Sequence, residues 1–88
     1  MDTLEAREQA WQEAQAALAA RHPELCDEAG DVEQGCEYGW DYAEAHPEAP
    51  VEEIRQEAAR VTRERGYSES FRLSFISAAL GGVEGLIR

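Results

Sequence analysis

Asp31–His46 reads DVEQGCEYGWDYAEAH, and the fold turns on how this run is organised. At 100° per residue, Glu33, Glu37, Asp41 and Glu44 fall within about 80° of arc. Val32, Cys36, Trp40 and Ala43 fall on a neighbouring arc, the predicted apolar face of a helix. Gly35, Gly39 and Ala43 extend that face at four-residue spacing, which predicts close approach of another helix of the same domain. In a membrane, a G-x-x-x-G pair suggests helix dimerisation; here the flanking acids exclude that setting.

The charges around this helix are one-sided. From His22 to Glu53 the chain holds eleven Asp and Glu and no Lys or Arg, while the remaining residues hold eight acids and eight arginines. The whole net charge of -11 therefore lies in that stretch. Like charges at i,i+4 destabilise a helix by a few tenths of a kcal/mol per pair, and no local base offsets them. Such a face is either merely solvated or held ready for a basic partner. The residues expected to make that contact are Glu33, Glu37, Asp41, Glu44 and Glu48, with Tyr38 and Tyr42 as aromatic anchors.

Before this helix, Asp2–Arg21 reads as a helix with an Asp2/Glu5 capping box and an interior of Ala, Gln, Glu and Leu. Leu4, Trp11 and Leu18 stand seven apart, and Leu25 and Val32 continue the spacing. Pro23 and Gly30 interrupt it, and the intervening positions are Ala or polar, so a coiled coil is rejected. Pro23 is expected to open a short segment that Gly30 ends, with Asp31 capping the central helix. His46-Pro47 closes that helix. Pro50 opens the next one, with Val51, Ile54, Ala58 and Val61 as its buried stripe and Gly66 as its stop. Ser68 or Ser70 caps the last helix, Ser70 to Leu80 or as far as Ile87. That helix is apolar on two sides, so it is either central in the fold or covered by another chain. In the second case Leu73, Ile76, Leu80 and Ile87 form a homodimer interface.

No period-two alternation long enough for a strand occurs. The sequence therefore predicts an all-α fold, a small single-domain bundle of about four helices spanning residues 1–88. Its hydrophobic content of 43% includes fifteen alanines, so the core is expected to be thin,. The N-terminus is charged and lacks an apolar h-region, and the run Leu73–Ile87 is too short for a bilayer span, so the chain reads as cytoplasmic. Cys26 and Cys36 then read as free thiols.

No catalytic constellation emerges. His22 and His46 each precede a proline at a helix end, a position the helix dipole explains. No G-x-S-x-G, phosphate loop or H-E-x-x-H occurs. The cysteine spacing does not fit a zinc site, and no Glu stands three residues before either His, so no metal and no cofactor is expected. An acidic chain is repelled by nucleic acid and by anionic membrane, which leaves a basic protein surface as the expected partner.

Three functions remain: an interaction or inhibitor protein, a homo-oligomeric adaptor working through its last helix, and an enzyme, the least supported. The first is expected to place its acidic helix in a basic groove, including one that normally binds nucleic acid. Small acidic inhibitors that imitate DNA charge occur among phage and mobile-element antagonists of host defence, an analogy of composition and size alone.

Overall fold

The structure is a computed structural model that describes residues 3–87, with the backbone alone described for 82–87. Four helices follow one another: α1 (Leu4–Arg21), α2 (Ala29–Ala45), α3 (Val51–Arg65) and α4 (Glu69–Ile87). No strand occurs among the described residues, so the fold is all-α as the sequence predicts. α4 is central: α1, α2 and α3 each pack chiefly against it and scarcely against one another.

Its position explains its two apolar sides. Phe71, Phe75, Ala79 and Leu80 are buried together with Ile54, Ala58 and Val61 of α3 and Ala10 and Ala14 of α1. Burial of a large side chain of this kind contributes about 1.5–3 kcal/mol. Leu73, Ile76 and Leu80 are themselves buried within one copy of the chain. Of the residues expected at a homodimer interface, these three are thus covered by the chain's own helices. The side chain of Ile87 lies outside the described residues.

α1 presents an alanine face. Ala10 and Ala14 are buried, Trp11 and Leu18 are half-buried, and Leu4 is exposed. A Cβ on Gly81 would stand 2.8 Å from the Trp11 indole nitrogen, so the ring lies directly on the α4 backbone. The cap of α1 differs from expectation: Thr3 accepts from the Ala6 N–H at 3.0 Å through its hydroxyl. Asp2, expected in that role, lies outside the described residues. His22 ends the helix in the left-handed region, with φ of 48°.

Residues 23–27 form turns instead of the expected short helix, and α2 begins at Ala29. Gly30 therefore lies in the first turn of α2, and Asp31 does not cap it. α3 and its boundaries match the sequence: Pro50 is the N-cap in extended conformation, and Gly66 is the left-handed C-cap with φ of 73°.

The α2–α4 contact is the closest in the molecule. A Cβ on Gly35 would stand 2.6 Å from the Phe71 carbonyl oxygen and 2.8 Å from the Ser74 Cβ. One on Gly39 would strike the Phe75 carbonyl oxygen, with the Ala78 Cβ at 3.0 Å. Backbone oxygens cannot swing aside, so hydrogen is the only side chain that fits either position without a shift of α4.

Three buried serines on α4 join the outer helices to the central one. The Ser74 hydroxyl donates to the Val32 carbonyl at 2.6 Å and lies 3.1 Å from the Cys36 sulfur. The Ser77 hydroxyl accepts from the Gln15 amide of α1. The Ser70 hydroxyl donates to the Glu28 carboxylate and accepts from the Arg21 Nε at 3.1 Å. Each hydroxyl would be costly to bury unpaired, by about 1–3 kcal/mol, and each finds its partner in a different part of the chain.

Candidate functional site

Gly35 and Gly39 fix the rotation of α2, and that rotation decides what faces outward. With the glycines against α4, Glu33, Glu37, Trp40, Asp41 and Glu44 all come to the exposed side. Glu48 is also exposed, in the α2–α3 connection and not on the helix. Trp40 is 54% exposed, whereas the sequence placed it on the inner arc. The inner arc is centred on the glycines and the two tyrosines, about a third of a turn away. Trp40 thereby joins the acids: Glu37 precedes it by three residues and Glu44 follows it by four, the spacing of neighbours on a helix surface.

Among the described residues these acids form no ion pair. Glu33, Glu37, Asp41, Glu44 and Glu48 make no hydrogen bond or ion pair with another described side chain. Most of the arginines are engaged elsewhere. Arg60 is held between Glu57 at 3.0 Å and Glu64 at 2.9 Å. Arg72 binds Glu69 at 2.8 Å, and Arg21 binds Glu28 at 3.1 Å. Arg55 reaches Glu13 at 3.7 Å, and Arg7 donates to the Ala49 carbonyl at 2.7 Å.

Two of the eleven acids in the 22–53 stretch leave the surface for structural work. Glu28 bridges Arg21 and Ser70, and the Ser70 hydrogen bond followed by that of Arg21 holds its carboxyl below the ordinary value of 4.5. Asp31 accepts from the Ser68 backbone N–H at 3.0 Å, which fastens the start of α2 to the turn before α4. The Ser68 hydroxyl and then its N–H hold the Asp31 carboxyl below 3.8. Of the two, the N–H contact has full hydrogen-bond geometry, because the buried Ser68 hydroxyl forms no well-aligned bond of its own.

Tyr38 and Tyr42, expected as anchors among the acids, turn inward. Both are half-buried. Tyr38 meets Phe71 edge-on at 5.4 Å, and Tyr42 packs at 5.8 Å from Phe75 and 4.6 Å from His46. The Tyr42 hydroxyl donates to Glu53 at 2.8 Å. Burial first, then Glu53, pushes its pKa up to about 12. The tyrosines instead line a cleft of about 320 Å³ between α2 and α3, floored by Val61 and Phe75, with Asp41 at its edge. The exposed aromatic ring on the outer face is that of Trp40, which residue spacing alone did not single out.

Sequence reasoning also missed the serines. Ser70, Ser74 and Ser77 stand at i, i+4 and i+7, a small-residue stripe that could have been paired with Gly35 and Gly39. Among the described residues no group of three or more His, Cys, Asp or Glu could hold a metal ion. Both cysteines are free, Cys26 exposed and Cys36 half-buried. No described helix is long and apolar enough to cross a membrane. Compared with protein-family models, curated proteins and solved structures, the chain finds no match.

Proposed function

We propose that this chain is a non-enzymatic protein-binding module whose outer α2 face occupies a basic groove on a partner protein. One observation carries the reading: on one face of α2, four acids (Glu33, Glu37, Asp41, Glu44) without a partner among the described residues stand with an exposed tryptophan. Unpaired acids attract a basic surface at long range and raise the association rate. Tryptophan is the residue type most enriched where interfaces concentrate their binding energy. A merely solubilising face would call for the acids and not for the indole.

Charge spacing suggests the kind of groove. The four α2 acids, Glu33 to Glu44, span about 16 Å of helix axis, or one charge per roughly 5.5 Å. A nucleic-acid strand carries one phosphate per about 3.4 Å. The face thus carries about three-fifths of the linear charge density of one strand, enough for a groove that normally receives nucleic acid to attract it. In that setting the chain acts as an inhibitor, of the phage or mobile-element anti-defence type. Assembly through α4 has less support, since Leu73, Ile76 and Leu80 are already covered.

The test is capture from host lysate followed by elution along a salt gradient. Binding should weaken as ionic strength rises, because screening shortens to about 8 Å at 0.15 M. Each exposed ion pair contributes about 0.2–1 kcal/mol, so charge reversal at Glu33, Glu37 and Asp41 together should weaken binding roughly tenfold or more. Reversal at Glu5, Glu8 and Glu13 should do far less, and DNA or RNA should compete. Affinity indifferent to both salt and the α2 reversal would falsify the proposal.

A further inference from the structure

The cleft beside the acidic face has features that the outer surface lacks. At about 320 Å³ it lies at the small end of ligand sites,. Its walls are Tyr38 and Tyr42. The Tyr42 hydroxyl is committed to Glu53, and its ring, which packs on His46 and Phe75, lines the cleft with the surface they leave uncovered.

The charges in the cleft are specific as well. Three carboxylates (Asp41, Glu57, Glu64), two guanidiniums (Arg60, Arg65) and the His46 imidazole line it, which leaves one carboxylate in excess when His46 is neutral. Arg60 is clamped between Glu57 and Glu64. The Arg65 guanidinium carbon lies 5.5 Å from the centre of the Tyr38 ring. Asp41 alone among the lining carboxylates has no partner within the described residues. The cleft already holds one arginine on a tyrosine and another between carboxylates, and Asp41 and the Tyr42 ring leave it one further carboxylate and one further aromatic ring.

We infer that this cleft receives a single arginine side chain of the basic partner, with its guanidinium on the Asp41 carboxylate and its stem along the Tyr42 ring. The inference rests on the protein-binding reading and adds the identity of the inserted residue. Arginine suits the site better than lysine, because its planar fork pairs with a carboxylate and stacks on an aromatic face at once. Asp41 belongs to both surfaces: it ends the outer acidic row and stands at the mouth of the cleft.

The inference is tested without the partner, by NMR titration of the intact chain with N-acetyl-arginine amide, using N-acetyl-citrulline amide as the uncharged isostere. The arginine compound should produce saturable shifts at Asp41, Tyr42 and Val61, and the citrulline compound should not. Asp41→Asn should weaken binding about fivefold, the upper end for an exposed ion pair. Glu33→Gln, about 12 Å up the same helix face, should change it less than twofold. Thermal unfolding of both variants checks that the fold is intact. Equal shifts with citrulline, equal loss from the two variants, or non-saturating shifts over all exposed acids would overturn the inference. Should the α2 charge reversal abolish partner capture while the cleft ignores arginine, this inference alone falls. Should arginine bind the cleft while capture ignores salt and reversal, the inference holds and the wider proposal fails.

Discussion

Gly30→Ala and Gly39→Ala make the same chemical change in the same helix and should shift stability in opposite directions. In a helix interior, alanine is favoured over glycine by about 1 kcal/mol. At Gly30 nothing lies within 4 Å of an added Cβ, and no positive φ is recorded there. The gain should survive there, reduced to about 0.5 kcal/mol by the position in the first turn. For a domain of this size that raises Tm by roughly 2–4 °C. At Gly39 the added carbon meets the Phe75 carbonyl oxygen, the Ala78 Cβ at 3.0 Å and the Ala79 nitrogen at 3.1 Å. Overpacking of this kind costs about 1–3 kcal/mol, and two of the three obstacles are backbone atoms. A cost in the upper part of that range, about 2–3 kcal/mol because backbone must move, less the propensity gain leaves Gly39→Ala destabilising by about 1–2 kcal/mol and lowers Tm by roughly 4–16 °C. Thermal unfolding followed by circular dichroism at 222 nm measures both, with urea denaturation as a check. A rise in Tm for Gly39→Ala would mean that α2 does not approach α4 there. The outward placement of Trp40 and the acids would fail with it, since one helix has one rotation.

Trp40 should emit as a solvent-exposed indole and be quenched more readily by caesium than by iodide, because the surrounding acids repel the anion; equal quenching would contradict the placement. Trp40→Phe should leave stability within about 0.5 kcal/mol, as surface changes do. Ile76→Glu should abolish cooperative unfolding at any protein concentration, since it puts an unpaired charge into the core,; a well-folded monomer would instead revive α4 as a dimer interface. Stability should also fall in acid. Glu28 and Asp31 have lowered folded-state values, so their contribution is complete above the ordinary values of 4.5 and 3.8 and is lost as pH drops through the lower folded ones,. Glu28→Gln should be less stable at neutral pH and lose less on acidification below 4.5, both read from denaturant midpoints.

The helices themselves were legible because their punctuation is local. Pro50 and Gly66 bound α3 by the fixed φ of one and the freedom of the other,. Gly35 and Gly39 announced a close helix contact, which the structure places against α4. The rotation of α2 was not legible to the same degree. Hydrophobicity ranks Trp40 as apolar and glycine as nearly neutral, so periodicity drew the buried arc toward the indole. Close packing obeys volume instead, and it set the glycines inward. Asp31 misled for a related reason: Asp three residues before Gln has the form of a capping box, yet its carboxylate serves a backbone N–H 37 positions away. The two apolar sides of α4 left a choice between a central helix and an interface, because amphipathicity records how much of a helix is covered and not by what.

The central position of α4 bears on how the chain is made. α1, α2 and α3 precede it in sequence, bury their apolar faces on it, and touch one another little. A nascent chain therefore emerges from the ribosome with three helices whose sticky stripes have no place to dock, at about 5–20 residues per second. The packed core cannot be completed before α4 is made, because the other three helices pack chiefly against it. Until that moment the net charge of -11 repels unfinished chains from one another when their hydrophobic surfaces would otherwise draw them together,. A ribosome stalled before Glu69 would release a product that cannot fold, which quality-control proteases could recognise by its exposed stripes.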